Sequence, residues 1–375
     1  MQPFTLLRVF LLCILALPSY AQVTKPDMSP PLDIGTTGVN KVLCMRNGST
    51  VLFHFETSKP IQVTIFDSLH KKRHVQKHAC RLLDLNMMWS SIFKGLYEIN
   101  GEAVLFLEQE HLGKHALVRL RFDGNDGQLI EEELLGEWKS INKHTSFYVM
   151  KSREADSYAI LFATEVPQFL ECDLRVVYFS NTHKRVREVP LAVNRKKYDY
   201  MDVINAEQQP NGILITLVLS KMITNGRPAN ADIYDPELPV MDHTMALYYL
   251  PADSTSVLKN TIDIPRDVYP LYANYTYNPF ASTLNVTMLS YREGFKRNGL
   301  EVLPTAFTDN IFLHVDEQNM GIRYKWLHDK MATDFIKQSN TIGKKYEGLP
   351  VKTFTNSNGL TTNVSVAVSR YYYNL

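Results

Sequence analysis

Apolar residues along this chain come in short bursts that repeat. "TVLFHF" (50–55), "AVLFLE" (103–108), "YAILFA" (158–163), "ILITLV" (213–218), "LNVTML" (284–289) and "NVSVAV" (363–368) each alternate or run continuously apolar. That pattern suits a strand in a sheet covered on both faces. Ahead of each burst stands another short strand pattern and a turn: "RNGS" (46–49), "INGE" (99–102), "READS" (153–157), "QQPNG" (208–212), "NPFAS" (278–282) and "NSNGL" (356–360). Asn-Gly and Gly supply the positive φ of tight hairpins. After most bursts comes a third strand pattern: "IQVTIF" (61–66), "ALVRLRF" (116–122), "DLRVVYF" (173–179), "MALYYL" (245–250) and "NIFLHV" (310–315). A turn rich in Asp, Asn and Ser then leads into a polar fourth strand.

The unit is four antiparallel strands, a to d, repeated every ~50–60 residues, which is the period and strand count of a propeller blade. On this pattern, over roughly residues 40–375, the chain resembles secreted β-propeller repeat proteins. The resemblance implies an all-β propeller of about six four-stranded blades, the last incomplete or irregularly closed. No WD series, kelch double glycine or Asp-box points to a narrower family. One stretch, "RYKWLHDKMATDFIKQSNTIGKKYEG" (323–348), reads as partly helical, as an insertion or as a degenerate fourth strand.

The ends and the composition refine this picture. Residues 1–21 read as a signal peptide: Arg8 is the only charge, Val9–Leu17 is apolar, and Ser19-Tyr20-Ala21 is a small-x-small cleavage site. The expected organisation is signal peptide 1–21, Pro-rich linker 22–40 and propeller 41–375, exported to the periplasm, the cell surface or the medium. No later apolar run is long enough to span a bilayer. Without Arg8, 39 of the 40 basic residues face 39 acidic ones. A balanced chain is not steered globally to nucleic acid, and none is expected as a partner. Cys44, Cys80 and Cys172 remain after export. Strands a and d of one blade lie roughly 14 Å apart, beyond the ~7 Å Cα reach of a disulfide, so no Cys44–Cys80 bridge is expected.

Candidate chemistry concentrates on one rim. In a propeller, b–c loops and d–a connections share a rim, and both long insertions (221–244 and 291–310) are b–c loops. The d–a connections bring Trp89, Trp138 with Lys139, the run Arg195, Lys196, Lys197 with Tyr198, and Tyr269. The b–c loops add Lys114, His115, Arg227, Arg292, Lys296 and Arg297. Flat rings stack on sugars and cations pair with anions, so these residues read either as a ligand site or as a solvated rim with aromatic anchors. Trp89, Trp138, Lys139, Arg195, Lys196, Lys197, Tyr198, Tyr269 and Arg292 are the candidate ligand-binding set. No cofactor fingerprint occurs. "HVQKHAC" holds His74, His78 and Cys80, but its Lys and Arg neighbours repel a cation, so no metal is expected. Asp232, Asp235, Glu237 and Asp242 match no Ca²⁺ loop. Asp199 and Asp202 point to opposite sides of a regular strand.

The expected function is an exported, non-catalytic propeller that binds a protein or an anionic glycan through this rim. The alternatives are a polysaccharide hydrolase or lyase, and a structural scaffold. An enzyme gathers two or more carboxylates, or a His with a Tyr, at the channel mouth; a binding module shows rings and cations without such a cluster.

Overall fold

The structure is a computed structural model. It describes residues 37–111, 114–139, 144–152, 156–165, 174–194, 197–209, 211–222, 241–252, 254, 256–264, 268–278, 283–292, 309–316, 319–328, 348–355 and 361–367. The chain divides into two compact units, Met1–Gly38 and Val39–Leu375. Of the first, only Thr37 and Gly38 are described, so the expected signal peptide and most of the linker lie outside the described residues.

The second unit is all-β, built from four-stranded antiparallel sheets in chain order. Sheet I holds β1 (Val39–Cys44), β2 (Thr50–Phe55), β3 (Ile61–Phe66) and β4 (Lys72–His78). Sheet II holds β5 (Ile92–Ile99), β6 (Glu102–His111), β7 (Lys114–Asp123) and β8 (Leu129–Lys139). Sheet III holds β9 (His144–Lys151), β10 (Tyr158–Glu165), β11 (Leu174–Phe179) and β12 (Arg185–Pro190). Sheet IV holds β13 (Tyr200–Gln209), β14 (Gly212–Met222), β15 (Met241–Pro251) and β16 (Leu258–Asp263). Sheet V holds β17 (Val268–Asn278), β18 (Thr283–Arg292), β19 (Asp309–Asp316) and β20 (Ile322–His328). A pair, β21 (Gly348–Thr355) with β22 (Thr361–Ala367), forms sheet VI. The apolar bursts are the second strands. The stretch read as partly helical starts with β20, a fourth strand; residues 329–347 lie outside the described set.

Alternation along the second strands explains why they are apolar throughout. Ala103, Leu105 and Leu107 of β6 pack with Phe53, Val63 and Ile65 of sheet I. Val104 and Phe106 pack the other way, with Tyr158, Ile160 and Phe162 of sheet III. Ala159, Leu161 and Ala163 then meet Ile213, Ile215 and Leu217 of sheet IV, while Leu214 joins Ala273, Val286 and Leu313 of sheet V. Each inner sheet is thus covered on both faces by its chain neighbours, as in a propeller. First strands lie side by side and are stitched by side chains. Tyr97 donates to the Val149 carbonyl (3.3 Å), Tyr148 to that of Val203 (3.1 Å) and Asn205 to that of Ala273 (2.7 Å).

A second device recurs at the c–d turns. In sheets I, II, III and V one turn residue sits at positive φ: His70 (58°), Gly127 (78°), His183 (64°) and Met320 (57°). In sheets II, III and V its carbonyl is held by a donor from the preceding sheet. His78 donates to the Gly127 carbonyl (2.8 Å), Arg119 to that of His183 (3.3 Å) and Asn260 to that of Met320 (2.7 Å). In sheet IV, Arg187 reaches the Ser254 carbonyl (2.6 Å). A non-glycine residue in the left-handed region costs about 1–2 kcal/mol, and interlocking with the neighbouring sheet offsets that cost. Gly127 has no such freedom of side chain: a Cβ there would stand 3.1 Å from Val63 Cγ1.

Candidate functional site

In every four-stranded sheet the first strand starts, and the second ends, at the same edge. The hydrogen-bond register places the candidate residues at this long-loop edge. Trp138 and Lys139 end β8, opposite His115 and Lys114. Val268 pairs with Arg292 and Tyr269 with Tyr291. Lys197 and Tyr198 precede β13; the Lys197 ammonium stands 5.1 Å from the Tyr198 ring centre. A hydrogen bond to Tyr198 pushes the Lys197 pKa upward, while Tyr198 itself packs on the core between sheets III and IV. Arg195 and Lys196 lie outside the described residues, as do 223–240 and 293–308 of the two long loops and the carboxylates Asp232, Asp235 and Glu237. Trp89 sits in a 3-10 helix, Leu85–Ser90, between β4 and β5 and is 73% exposed.

Two residues of the remaining candidates have other employment. His78 is the donor to Gly127 described above, with its ring 5.5 Å from that of Phe122. Asp199 accepts from Lys221 across the sheet edge (3.3 Å). Cys44 and Cys80 are both free thiols; Cys80 is buried, and burial first, then the nearby Glu132 charge, pushes its thiol up to about 12.

The same long-loop edge carries an acid–base cluster between sheets II and III. At the β5–β6 pairing the register shifts between Phe93 and Gly95, so Lys94 is an extra residue on the first strand. Its ammonium lies 2.7 Å from Glu108 Oε2 and 5.9 Å from the Tyr148 ring centre. Glu108, on β6, has a side chain only 4% exposed. Its other oxygen stands 3.6 Å from His115 Nδ1, on β7. His115 Nε2 lies 3.6 Å from Glu110 Oε2, with the imidazole 22% and the Glu110 carboxylate 52% exposed. A buried carboxylate, a half-buried imidazole and an exposed carboxylate therefore line up from the sheet interface to solvent. Beside them, Lys41 of β1 sits 4.4 Å over the Phe93 ring. Of this cluster the sequence brings out only His115, and the structure places it in a strand rather than a loop. The signal for Glu108 was present: it ends "AVLFLE" at a position where the alternation calls for an apolar residue, and a carboxylate there needs partners.

At the opposite, hairpin edge the same two sheets share a more deeply buried polar network. Arg119 of β7, 2% exposed, reaches the Tyr158 hydroxyl, Glu133 and, at 3.5 Å, Glu131. Arg121 binds Glu102 through two hydrogen bonds (2.7 and 2.8 Å) and Glu131 through a third (2.6 Å). The His183 imidazole, also 2% exposed, has Nδ1 3.3 Å from the Tyr158 hydroxyl and Nε2 3.2 Å from Glu102. Burial, reinforced by Arg119 and Arg121, holds His183 neutral with its pKa lowered to about 4. Burial pushes Tyr158 up to about 12. Burial opposes the charge on Glu102, yet Arg121 and His183 keep its carboxyl below the ordinary range. With Arg119, Tyr158 and His183 buried between the two sheets, this network joins them.

No protein-family model and no curated protein matches the chain. Similar solved structures include an ulvan lyase from a new polysaccharide lyase family (TM-score 0.41, 8% identity, covering 80% of this chain and 71% of that one). Another is an endo-arabinase from Bacteroides thetaiotaomicron (TM-score 0.35, 10% identity, 90% and 95%). A third is a variant of an apocarotenoid oxygenase from Synechocystis (TM-score 0.26, 8% identity, 74% and 69%).

Proposed function

We propose that the protein is an exported polysaccharide-cleaving enzyme, with its reaction centre at the long-loop edge between sheets II and III. The observation that carries this is the line Lys94–Glu108–His115–Glu110: two carboxylates and an imidazole gathered at the edge from which, in sheets IV and V, the long loops also leave. Glu108, paired with Lys94, faces the Nδ1 side of the ring at 3.6 Å. The Nε2 side looks toward Glu110 and solvent, where a proton can be taken from or given to a sugar chain. The 3.6 Å separations are those of a resting site, which tightens when a substrate enters. Lysines at this edge favour an acidic polymer. In this reading the two-stranded sheet VI is a sixth blade that closes the ring on sheet I, and what supports it is the exposed His70 turn of sheet I, at the position that sheets II, III and V clamp from a preceding sheet.

A second reading, binding without cleavage, draws on the exposed Trp89 and the Lys197–Tyr198 pair. One experiment separates them. Polygalacturonate, alginate, chondroitin sulfate and neutral xylan are incubated with wild type and His115→Gln, products are read by mass spectrometry, and retention is read in polymer-loaded gels. Cleavage that falls about 10²–10⁴-fold in His115→Gln, with gel retention kept, supports the enzyme. Retention of acidic polymer with no cleavage by wild type supports binding alone, and neither activity overturns both.

A further inference from the structure

The short helix that carries Trp89 is pinned more firmly than a connection needs. Gln109 is 3% exposed, and its side chain spends its whole amide on this turn. Its Oε1 accepts from the Asp84 N–H (2.7 Å), and its Nε2 donates to the Asp84 carbonyl (2.9 Å) and to Ser91 Oγ (3.0 Å), so both ends of Leu85–Ser90 are held. From sheet I, the Ser58 N–H donates to the Leu85 carbonyl (2.8 Å) and Ser58 Oγ to Asn86 Oδ1 (2.8 Å). Met88 anchors the turn in the core between sheets I and II. The Asp84 side chain caps it by accepting from the Asn86 N–H (2.9 Å). The residue displayed by all of this is a tryptophan 73% open to water. An exposed indole gains nothing for the fold; a rigid one gains affinity for a flat apolar partner, because little ordering is left to do on binding.

Gln109 is also the residue between Glu108 and Glu110. Strand alternation sends the two carboxylates toward sheet III and the amide toward sheet I. Three consecutive residues at the end of β6 thus build the acid–base line on one face and fix the indole on the other. We infer that Trp89 is a preformed sugar-stacking subsite for a polymer lying across this edge, and that Gln109 is the positioning residue that holds it in place. The class of ligand is a pyranose chain, whose C–H face stacks on an indole. This inference rests on the polysaccharide reading above, and it adds a subsite away from the reacting bond.

The test uses the full-length protein with Trp138→Phe and Trp326→Phe, so that Trp89 alone reports. Time-resolved fluorescence anisotropy is expected to show an indole that turns with the whole molecule, and Gln109→Leu is expected to add fast local motion. On the acidic polymers named above, Trp89→Ala weakens gel retention about tenfold, Trp89→Phe restores part of it, and Gln109→Leu weakens it severalfold. If Gln109→Leu does not fold, Gln109→Glu, which keeps the acceptor for the Asp84 N–H and removes both donors, takes its place. A Trp89 that is already mobile in the parent overturns the positioning role. Retention unchanged in Trp89→Ala overturns the subsite and leaves the His115 centre standing. Cleavage unchanged in His115→Gln, with retention lost in Trp89→Ala, overturns the centre and leaves the subsite.

Discussion

Replacing Arg119 by Met tests the join between sheets II and III. The substitution keeps most of the apolar stem and removes the guanidinium. Glu131 and Glu133 are 43% and 44% exposed, so both carboxylates recover water and add little penalty. The Tyr158 hydroxyl and the His183 carbonyl are buried and lose a charged donor. The hydroxyl can turn to His183 Nδ1, 3.3 Å away, which leaves the carbonyl as the main orphan. One unsatisfied buried acceptor costs ~1–3 kcal/mol. Adding the lost contact of the guanidinium with the Phe179 ring, 5.8 Å from it, gives an expected loss of ~2–4 kcal/mol. That falls at or below the ~3–5 kcal/mol of a pair buried on both sides. Urea unfolding followed by far-UV circular dichroism measures it. Because both groups belong to one network, Tyr158→Phe in the Arg119→Met background costs at least ~0.5 kcal/mol less than in wild type. Stability unchanged in Arg119→Met, or costs that simply add, would refute this account of the interface.

Three further outcomes follow from the same structure. His183 is neutral in the fold down to about pH 4 but ordinarily titrates near 6.5, so the unfolded chain binds more protons between those values. Stability therefore falls as pH drops through that window, by up to ~3 kcal/mol; His183→Gln flattens the slope in urea titrations at pH 7, 6, 5 and 4, and an unchanged slope contradicts the assignment. Gly127→Ala loses ~1–3 kcal/mol, from the positive φ and the approach to Val63, and a neutral result in the same assay shows that the turn relaxes. Iodoacetamide labels exposed Cys44 in the native protein and Cys80 only after unfolding, as read by peptide mass mapping; early labelling of Cys80 contradicts its burial.

The sheets were legible because each second strand must be apolar on both faces, and "AVLFLE", "YAILFA" and "ILITLV" record that in six residues apiece. The turn clamps were not. Only Gly127 advertises a positive φ; His70, His183 and Met320 adopt it without the residue type that signals it. The donors to Gly127 and His183 come from the preceding repeat, 49 residues away for His78 and 64 for Arg119, a separation at which no local pattern survives. The candidate site was legible as an edge more than as a set of residues. Counting turns put the long loops and Trp89 together, but Glu108 and Lys94 look like ordinary strand ends until a bulge and two neighbouring strands bring them to His115. The fourth strand Ile322–His328 was obscured by the polar run that follows it.

The most direct test of the proposed centre is the position of a bound acidic oligosaccharide in a crystal of His115→Gln, a variant expected to retain substrate without cutting it. A sugar chain is expected along the long-loop edge of sheets I–III, with one ring on Trp89 and a glycosidic linkage within hydrogen-bond reach of the residue at 115. An oligosaccharide held at the hairpin edge, or along the long-loop edge of sheets IV and V with Glu108 and residue 115 untouched, contradicts it.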